Sequence, residues 1–376
     1  MADLTPTQQR AINQGLNQAL RNAWDQVAAL DAESQRLVLA EYQAAALEIL
    51  RGLRAAADRD GAVPVAALQE VIGRVNLALE ALLVAQQALA EQQVFRAAVI
   101  GAGAIDQLRL LATNGEIEAD SVARLPDARE VAERVRQQLV HAPGPDGLRL
   151  SDRIWRNHQG LRAELLPAIQ TAIINGQAAR DAVRGVLGRA GAATAQQIRD
   201  IELAKAGALG DRAAEILIGP EARAYANALR VLRSEVDQAN ILTTREGIYA
   251  VDDVVGTRFL LSPSHPRFDI CDLHANVNLH GLGSGVYPRG QSPLPAHPNT
   301  LSFEEAVFSW EVTPEDRAQR DDPIVWLQGR PAGEQLGVLQ SRDKVAALQA
   351  GLLQPGEITT PWRLLAQRYG PAIGAQ

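Results

Sequence analysis

The residue types best able to do chemistry lie in one stretch, LSPSHPRFDICDLHANVNLHGLGSGVYPRGQSPLPAHP, from Leu261 to Pro298. Four of the six histidines (His265, His274, His280, His297) and the sole cysteine, Cys271, fall inside it, with six Pro and four Gly among its 38 residues. A compact irregular segment on a regular scaffold is where specific function is expected. His265, Asp269, Cys271 and His297 are the candidate metal ligands, with Asp272 beside them, and zinc accepts Cys, His and carboxylate together. Their spacing matches no closed Cys-x2-Cys or His-Glu-x-x-His pattern. A second ligand pair would be needed just after His297, and Thr300 and Ser302 stand there. Cys271 with a histidine is the minimum for a thiol nucleophile. Its neighbours Asp269 and Asp272 would raise the thiol pKa instead of lowering it, and as an acid/base pair they have no stronger support. The structural alternative is that these side chains cap turns and satisfy backbone groups in a loop without regular structure. The sequence contains no Gly-rich phosphate loop and no G-x-S-x-G. Val99-Ile-Gly-Ala-Gly-Ala104 has the outline of a dinucleotide-binding turn. Asp106 occupies its third glycine position and no βαβ alternation surrounds it, so it reads as a Gly-rich helix break.

The elements that must carry this loop are mainly helical. Thr5-Pro6 is a helix start, and apolar residues follow at helical spacing from Ile12 to Leu30, with a turn and new cap at Asp31 to Ser34. A second helix ends at Asp58-Arg-Asp-Gly61, and a third runs from about Val65 to Ala97. Short connections imply an antiparallel bundle. His141-Ala-Pro-Gly-Pro-Asp-Gly147 reads as a linker. Beyond it, helices are expected from Ser151 to Ile173-Ile174-Asn-Gly176, over 178–190, over 194–208, and from about Pro220 to Ala239. Gly256–Leu261 reads as a strand, 262–300 as irregular, Phe303–Val312 as strand or helix, and 323–332 and 339–351 as short helices. Trp362–Tyr369 reads as a last helix or a tail. The fold class is therefore mainly α with a small α+β C-terminal domain. The expected division is an N-terminal helical assembly domain at 1–140, a linker at 141–149, a second domain at 150–350 and a tail at 351–376.

With 376 residues and 47% hydrophobic content the chain can bury real cores. Net charge is −7, which argues against a general nucleic-acid binder. Residues 149–235 carry 13 basic against 9 acidic side chains, so a weakly basic helical face is an open alternative to a solvated surface. Lys205 and Lys344 are the only lysines among 37 basic residues, so arginine abundance reflects composition more than binding. One cysteine excludes an internal disulfide. No apolar run reaches membrane-spanning length, and MADLTPTQQR lacks the basic flank and apolar core of a secretory signal. The expectation is synthesis in a cytoplasm and no membrane contact.

The order of elements resembles a known family: LSDRIW at 150–155, Asn-Gly-Gln at 175–177, the Arg-x-Glu helix at Arg233 and Glu235, SPSHPxxDICD at 262–272, HGLGSGVYP at 280–288 and LPAHP at 294–298. This pattern is similar to the phage Mu F-like minor head proteins, the phage head morphogenesis domain, over about 150–350. The segment WLQGRPAGEQLGVLQSRDKVAALQAG at 326–351 resembles the piece that closes such domains. The resemblance implies a structural virion component and no enzyme. Such a protein would be a minor capsid protein of a phage or prophage-derived particle, associated with the portal and with head assembly or DNA delivery. Its implied partners are the portal protein, other capsid proteins, sister copies and, weakly, packaged DNA. Its implied location is the head interior or portal vertex. The motif residues it marks are Arg233, Glu235, His265, Pro266, Asp269, Cys271, Asp272, His297 and Pro298. Relatives continue the last element as His-Pro-x-Cys-x-Cys; here Thr300 and Ser302 replace both cysteines. The relatives' version implies a metal- or thiol-stabilised loop with the upstream cysteine; the departure here implies a hydrogen-bonded core in its place and no cofactor, zinc being the alternative. Arg233 and Glu235 are expected to tie the long helix to the loop, Arg233 satisfying loop carbonyls with its planar fork; the alternative is a DNA or portal contact. Two other function classes stay open: a DNA-binding virion protein using the arginines of 149–235, and a toxin or enzyme-like domain using Cys271 and His297 or a loop-bound metal.

Overall fold

The structure, a computed structural model, describes residues 5–114, 125–144, 146–187, 193–263, 265–297, 300 and 302–373. The protein is mainly helical with one small antiparallel sheet near its C-terminal end. Two long helices lead: α1 (Pro6–Ala56) and α2 (Leu68–Thr113). They are followed by α3 (Ala128–His141), α4 (Leu150–Leu187), α5 (Ala195–Leu203), α6 (Ala206–Ile218) and α7 (Arg223–Ile248). The chain packs as two compact units, each assembled from separated segments. One comprises Met1–Ala28, Arg96–Val135 and Val236–Gln376; the other comprises Ala29–Phe95 and Arg136–Glu235. The linear division at 141–149 followed loop composition. Packing instead follows the helices, because α1, α2, α3 and α7 each give residues to both units.

Three expected helix breaks are absent. Helix α1 runs through Asp31–Ser34 because neither residue acts as a cap: Ser34 Oγ donates back to Leu30 O at 2.7 Å, and Asp31 accepts from Gln35 within the helix. Helix α2 runs through Gly101 and Gly103. Glycine inside a helix costs about 1 kcal/mol, and at Gly101 the cost has a use. A Cβ there would lie 2.6 Å from Asn240 O, so the missing side chain lets α2 approach α7 closely. Helix α4 continues past Asn175-Gly176, where Ile169 and Ile173 are fully buried on one face. Burial of two such side chains, roughly 1.5–3 kcal/mol each, outweighs the local Asn-Gly penalty. The predicted stop at Asp58–Gly61 is observed, with Gly61 at φ 79° and Asp58 Oδ1 accepting from Asp60 N and Ala62 N.

In the unit that holds the loop, the sheet order is β2-β1-β3, with β1 at Val254–Leu260, β2 at Val286–Pro288 and β3 at Phe303–Phe308. Thr257 pairs with Tyr287 on one side and Ala306 on the other. The edge of β3 is closed by a side chain: Asn17 of α1 accepts from Ala306 N at 3.0 Å and donates to Ala306 O at 3.3 Å, mimicking a strand. Segment 262–300, expected to be irregular throughout, contains β2 and a helix, α8 (Ile270–Asn276). After β3 come α9 (Pro314–Ala318), α10 (Pro323–Gln328), α11 (Ala332–Leu339), α12 (Arg342–Gln349) and α13 (Trp362–Ile373). Leu365 and Tyr369 of α13 share one buried cluster with Ile270, Leu273, Leu327, Val338 and Leu348. The expected C-terminal tail therefore contributes core, and α8 is seated on that core.

Candidate functional site: the loop between β1 and β3

Helix α8 is only seven residues long, so its start must be fixed by side chains. Asp269 is its N-cap, with Oδ1 accepting from Cys271 N at 2.8 Å. Asp272 completes a reciprocal box: its Oδ2 accepts from Asp269 N at 2.8 Å. His265 Nε2 lies 2.9 Å from the same Asp272 oxygen and 3.8 Å from Asp269 Oδ1. The capping places Cys271 in the first turn, almost fully buried. Its sulfur lies 3.3 Å from His297 Nε2 and 3.6 Å from Thr300 Oγ1. His297 Nε2 is also 3.4 Å from Asp269 Oδ2. So four of the expected motif residues, His265, Asp269, Cys271 and Asp272, and the more distant His297 do come together. Pro266 is exposed and adjoins the cluster in sequence only, and Pro298 lies outside the described residues.

Burial pushes the Cys271 thiol up to about 11; the hydroxyls of Thr300 and Ser302 oppose that rise and the Asp269 charge adds to it. A protonated, buried thiol is a poor nucleophile. His274 faces elsewhere: its Nδ1 is 2.7 Å from Tyr287 Oη, and desolvation lowers its pKa to about 4. The His280 ring packs edge-on against Tyr287 at 5.2 Å between centroids. The four loop histidines thus form no single site; two serve the Asp–Cys cluster and two pack around Tyr287.

The roles expected of Arg233 and Glu235 are not observed. Arg233 binds Asp31 with Nε and Nη2 at 2.9–3.1 Å. Glu235 takes Arg153, the arginine of LSDRIW, which also holds Asp146 in the 141–149 segment at 2.8 Å. Neither reaches the loop, because both side chains are used within their own unit. Two arginines missed in the sequence do that work. Arg245, three turns further along α7, binds Glu304 of β3 through Nε at 3.0 Å and Nη2 at 2.6 Å, and donates to Leu294 O at 3.2 Å. Ser292 adds a hydrogen bond to Glu304. Arg289, after β2, donates its guanidinium hydrogens to the carbonyls of Tyr249, Val251, Asp252 and Val254. The fork predicted at Arg233 exists, but on Arg289. The only sequence signal for Arg245 was its position six residues past the expected helix end, where a charged residue reads as solvated.

Asn278 also organises the loop. Its Oδ1 accepts from Gly281 N at 2.8 Å and Leu282 N at 3.2 Å, while Nδ2 donates to the carbonyls of Asp316 and Gln319. At Gly256 a Cβ would stand 1.9 Å from Tyr287 O, so only glycine lets β1 and β2 pair there. No family model, curated protein or solved structure matches the chain.

Proposed function

We propose that the chain is a structural minor capsid protein of a phage or prophage-derived particle, associated with the portal and with head assembly or DNA delivery. The observation that carries this reading is where the motif residues go. SPSHPxxDICD and LPAHP meet at Cys271 and His297, and the same helix meets HGLGSGVYP at His274 and Tyr287. LSDRIW meets the Arg-x-Glu helix at Arg153 and Glu235. Residues that serve one another in this way constitute a fold signature, and the resemblance they carry is to virion head proteins. Their chemistry agrees with a scaffold: the thiol is protonated and the carboxylates cap a helix. Several arginines of 149–235 already hold carboxylates, among them Arg153, Arg180, Arg212 and Arg233, which weakens the case for phosphate binding. Among the described residues no helix is long and apolar enough to cross a membrane.

The test is mass spectrometry of purified particles. This chain should be present in low copy number, at the portal vertex by tomography. Particles that assemble and infect normally without it would overturn the proposal. Cys271→Ala should leave any assembly phenotype unchanged at permissive temperature, whereas a hydrolase using that thiol would be abolished.

A further inference from the structure

We propose that α1 pairs with α1 of a second copy of this chain, antiparallel and about a two-fold axis, through a stripe running from Glu33 to Arg51. The inference rests on the placement of these residues and stands whether or not the virion reading holds. Glu33, Leu37, Ala40, Ala44, Leu47 and Arg51 follow one another on α1 at intervals of four, three, four, three and four residues. That spacing is the seam of a helix that packs lengthwise against another helix.

The seam lies wholly in the helical unit, and the described residues leave it uncovered. Leu37 is 38% exposed and Leu47 is 55% exposed. Ala40, Ala44 and Arg51 are exposed beside them, and Glu33 is partly buried. On the other face of the same stretch, Val38, Tyr42, Ile49 and Leu53 are buried in the chain's own core. Helix α1 therefore has two apolar faces here, and only one is packed within the chain. A surface helix needs a single apolar face to hold its place in a fold.

The order of the side chains identifies what covers the second face. From either end the seam runs charge, leucine, alanine, alanine, leucine, charge, and the two charges are opposite. An antiparallel copy centred between Ala40 and Ala44 sets Leu37 against Leu47, Ala40 against Ala44 and Glu33 against Arg51, each twice. A parallel copy would set Glu33 against Glu33 and Arg51 against Arg51. The central alanines allow the helix axes to approach to about 8 Å. Arg51 meets Glu48 at 2.9 Å in an exposed contact within the helix, and such a contact is readily exchanged. Glu41 flanks the centre, but its Oε2 is buried in its own chain. A second exposed stripe, Leu77, Ala81, Val84 and Ala88 of α2, lacks this symmetry. The antiparallel register that matches its Leu77 to Val84 sets Glu70 against Glu91.

Sedimentation velocity of the full-length chain over a concentration series tests the pairing, with a reversible dimer as the expected result. Leu47→Asp should raise the dimer dissociation constant at least about a hundredfold, because a two-fold interface receives each substitution twice. Its far-ultraviolet circular dichroism should match the unsubstituted chain, since Leu47 is not part of the core. Arg51→Glu should weaken the dimer at least about tenfold by opposing Glu33 with a like charge. Orientation is read by mixing Ala40→Cys and Ala44→Cys chains and oxidising them; Cys271 is buried and does not compete. The disulfide should join the two different chains. A chain that stays monomeric at about 100 µM overturns the proposal. So does a dimer that Leu47→Asp leaves intact, or one whose disulfides join like positions.

Discussion

The helical unit and the loop-bearing unit satisfy their buried polar groups by different means. In the first, backbone groups are consumed by long helices, and buried arginine–carboxylate pairs such as Arg233–Asp31 and Arg153–Glu235 join one helix to another or to a loop. In the second, between β1 and β3, the backbone has few regular partners. Short side chains close it: Asp269, Asp272 and Asn278 cap amide groups, and Arg289 collects carbonyls. The lesson is that a local excess of His, Asp, Asn and Cys is what an irregular segment needs to be satisfied. Such an excess is weak evidence of catalysis until geometry and proton affinity are known.

The largest expected effect tests the buried salt bridge between α7 and β3 that anchors the loop. Arg245→Ala leaves Glu304 nearly fully buried without its cation and frees Leu294 O. A loss of about 3–5 kcal/mol is expected in urea unfolding. A loss below about 1 kcal/mol would mean that the loop is closed by its short side chains alone. Arg153→Ala, its counterpart in the helical unit, should cost less, about 2–3 kcal/mol. Burial already raises the Glu235 pKa, so the orphaned carboxyl can take a proton. The deficit should therefore shrink as pH falls; a deficit independent of pH would show that Glu235 stays ionised.

A smaller effect comes from Glu41 in the helical unit, whose Oε2 is buried without a partner. Desolvation raises its pKa from 4.5 to about 7. The folded state thus holds this proton more tightly than the unfolded chain does. The associated stability is fully present below pH 4.5 and is lost as pH rises through 7. Glu41→Gln should stabilise by about 1–2 kcal/mol at pH 8, a figure discounted for partial exposure, and by nearly nothing at pH 4.5. Equal thermal shifts at both pH values would contradict the assignment. The smallest effect concerns the α8 cap: Asp269→Ala should cost about 1 kcal/mol and Asp269→Asn a few tenths. If asparagine proved as damaging as alanine, the charge of Asp269 would matter more than its capping.

Much of the fold was legible. The helical periodicity from Ile12 to Leu53, the stop at Gly61 and the strand expected at Gly256–Leu261, observed at Val254–Leu260, are local signals. The breaks expected at Ser34, Gly101 and Gly176 were illegible, because each weak local preference was overridden by a contact distant in sequence or by a hydrogen bond within the helix itself. In the loop, the identities of Asp269, Cys271 and His297 were readable but their uses were not. Asp269 looks the same in sequence whether it caps a helix or binds a metal.

By itself the sequence determined that the chain is mainly helical with a small strand-bearing C-terminal part, because hydrophobic period and turn residues act over a few positions. It also determined which loop concentrates histidine and cysteine. Tertiary structure alone decided that Arg245 and Arg289, not Arg233, hold that loop, and that His297 returns to Cys271 across 26 residues while His274 and His280 do not. Long side chains reach whichever buried carboxylate or carbonyl the packing brings near. That choice is fixed by desolvation and distance, which no spacing in the sequence records.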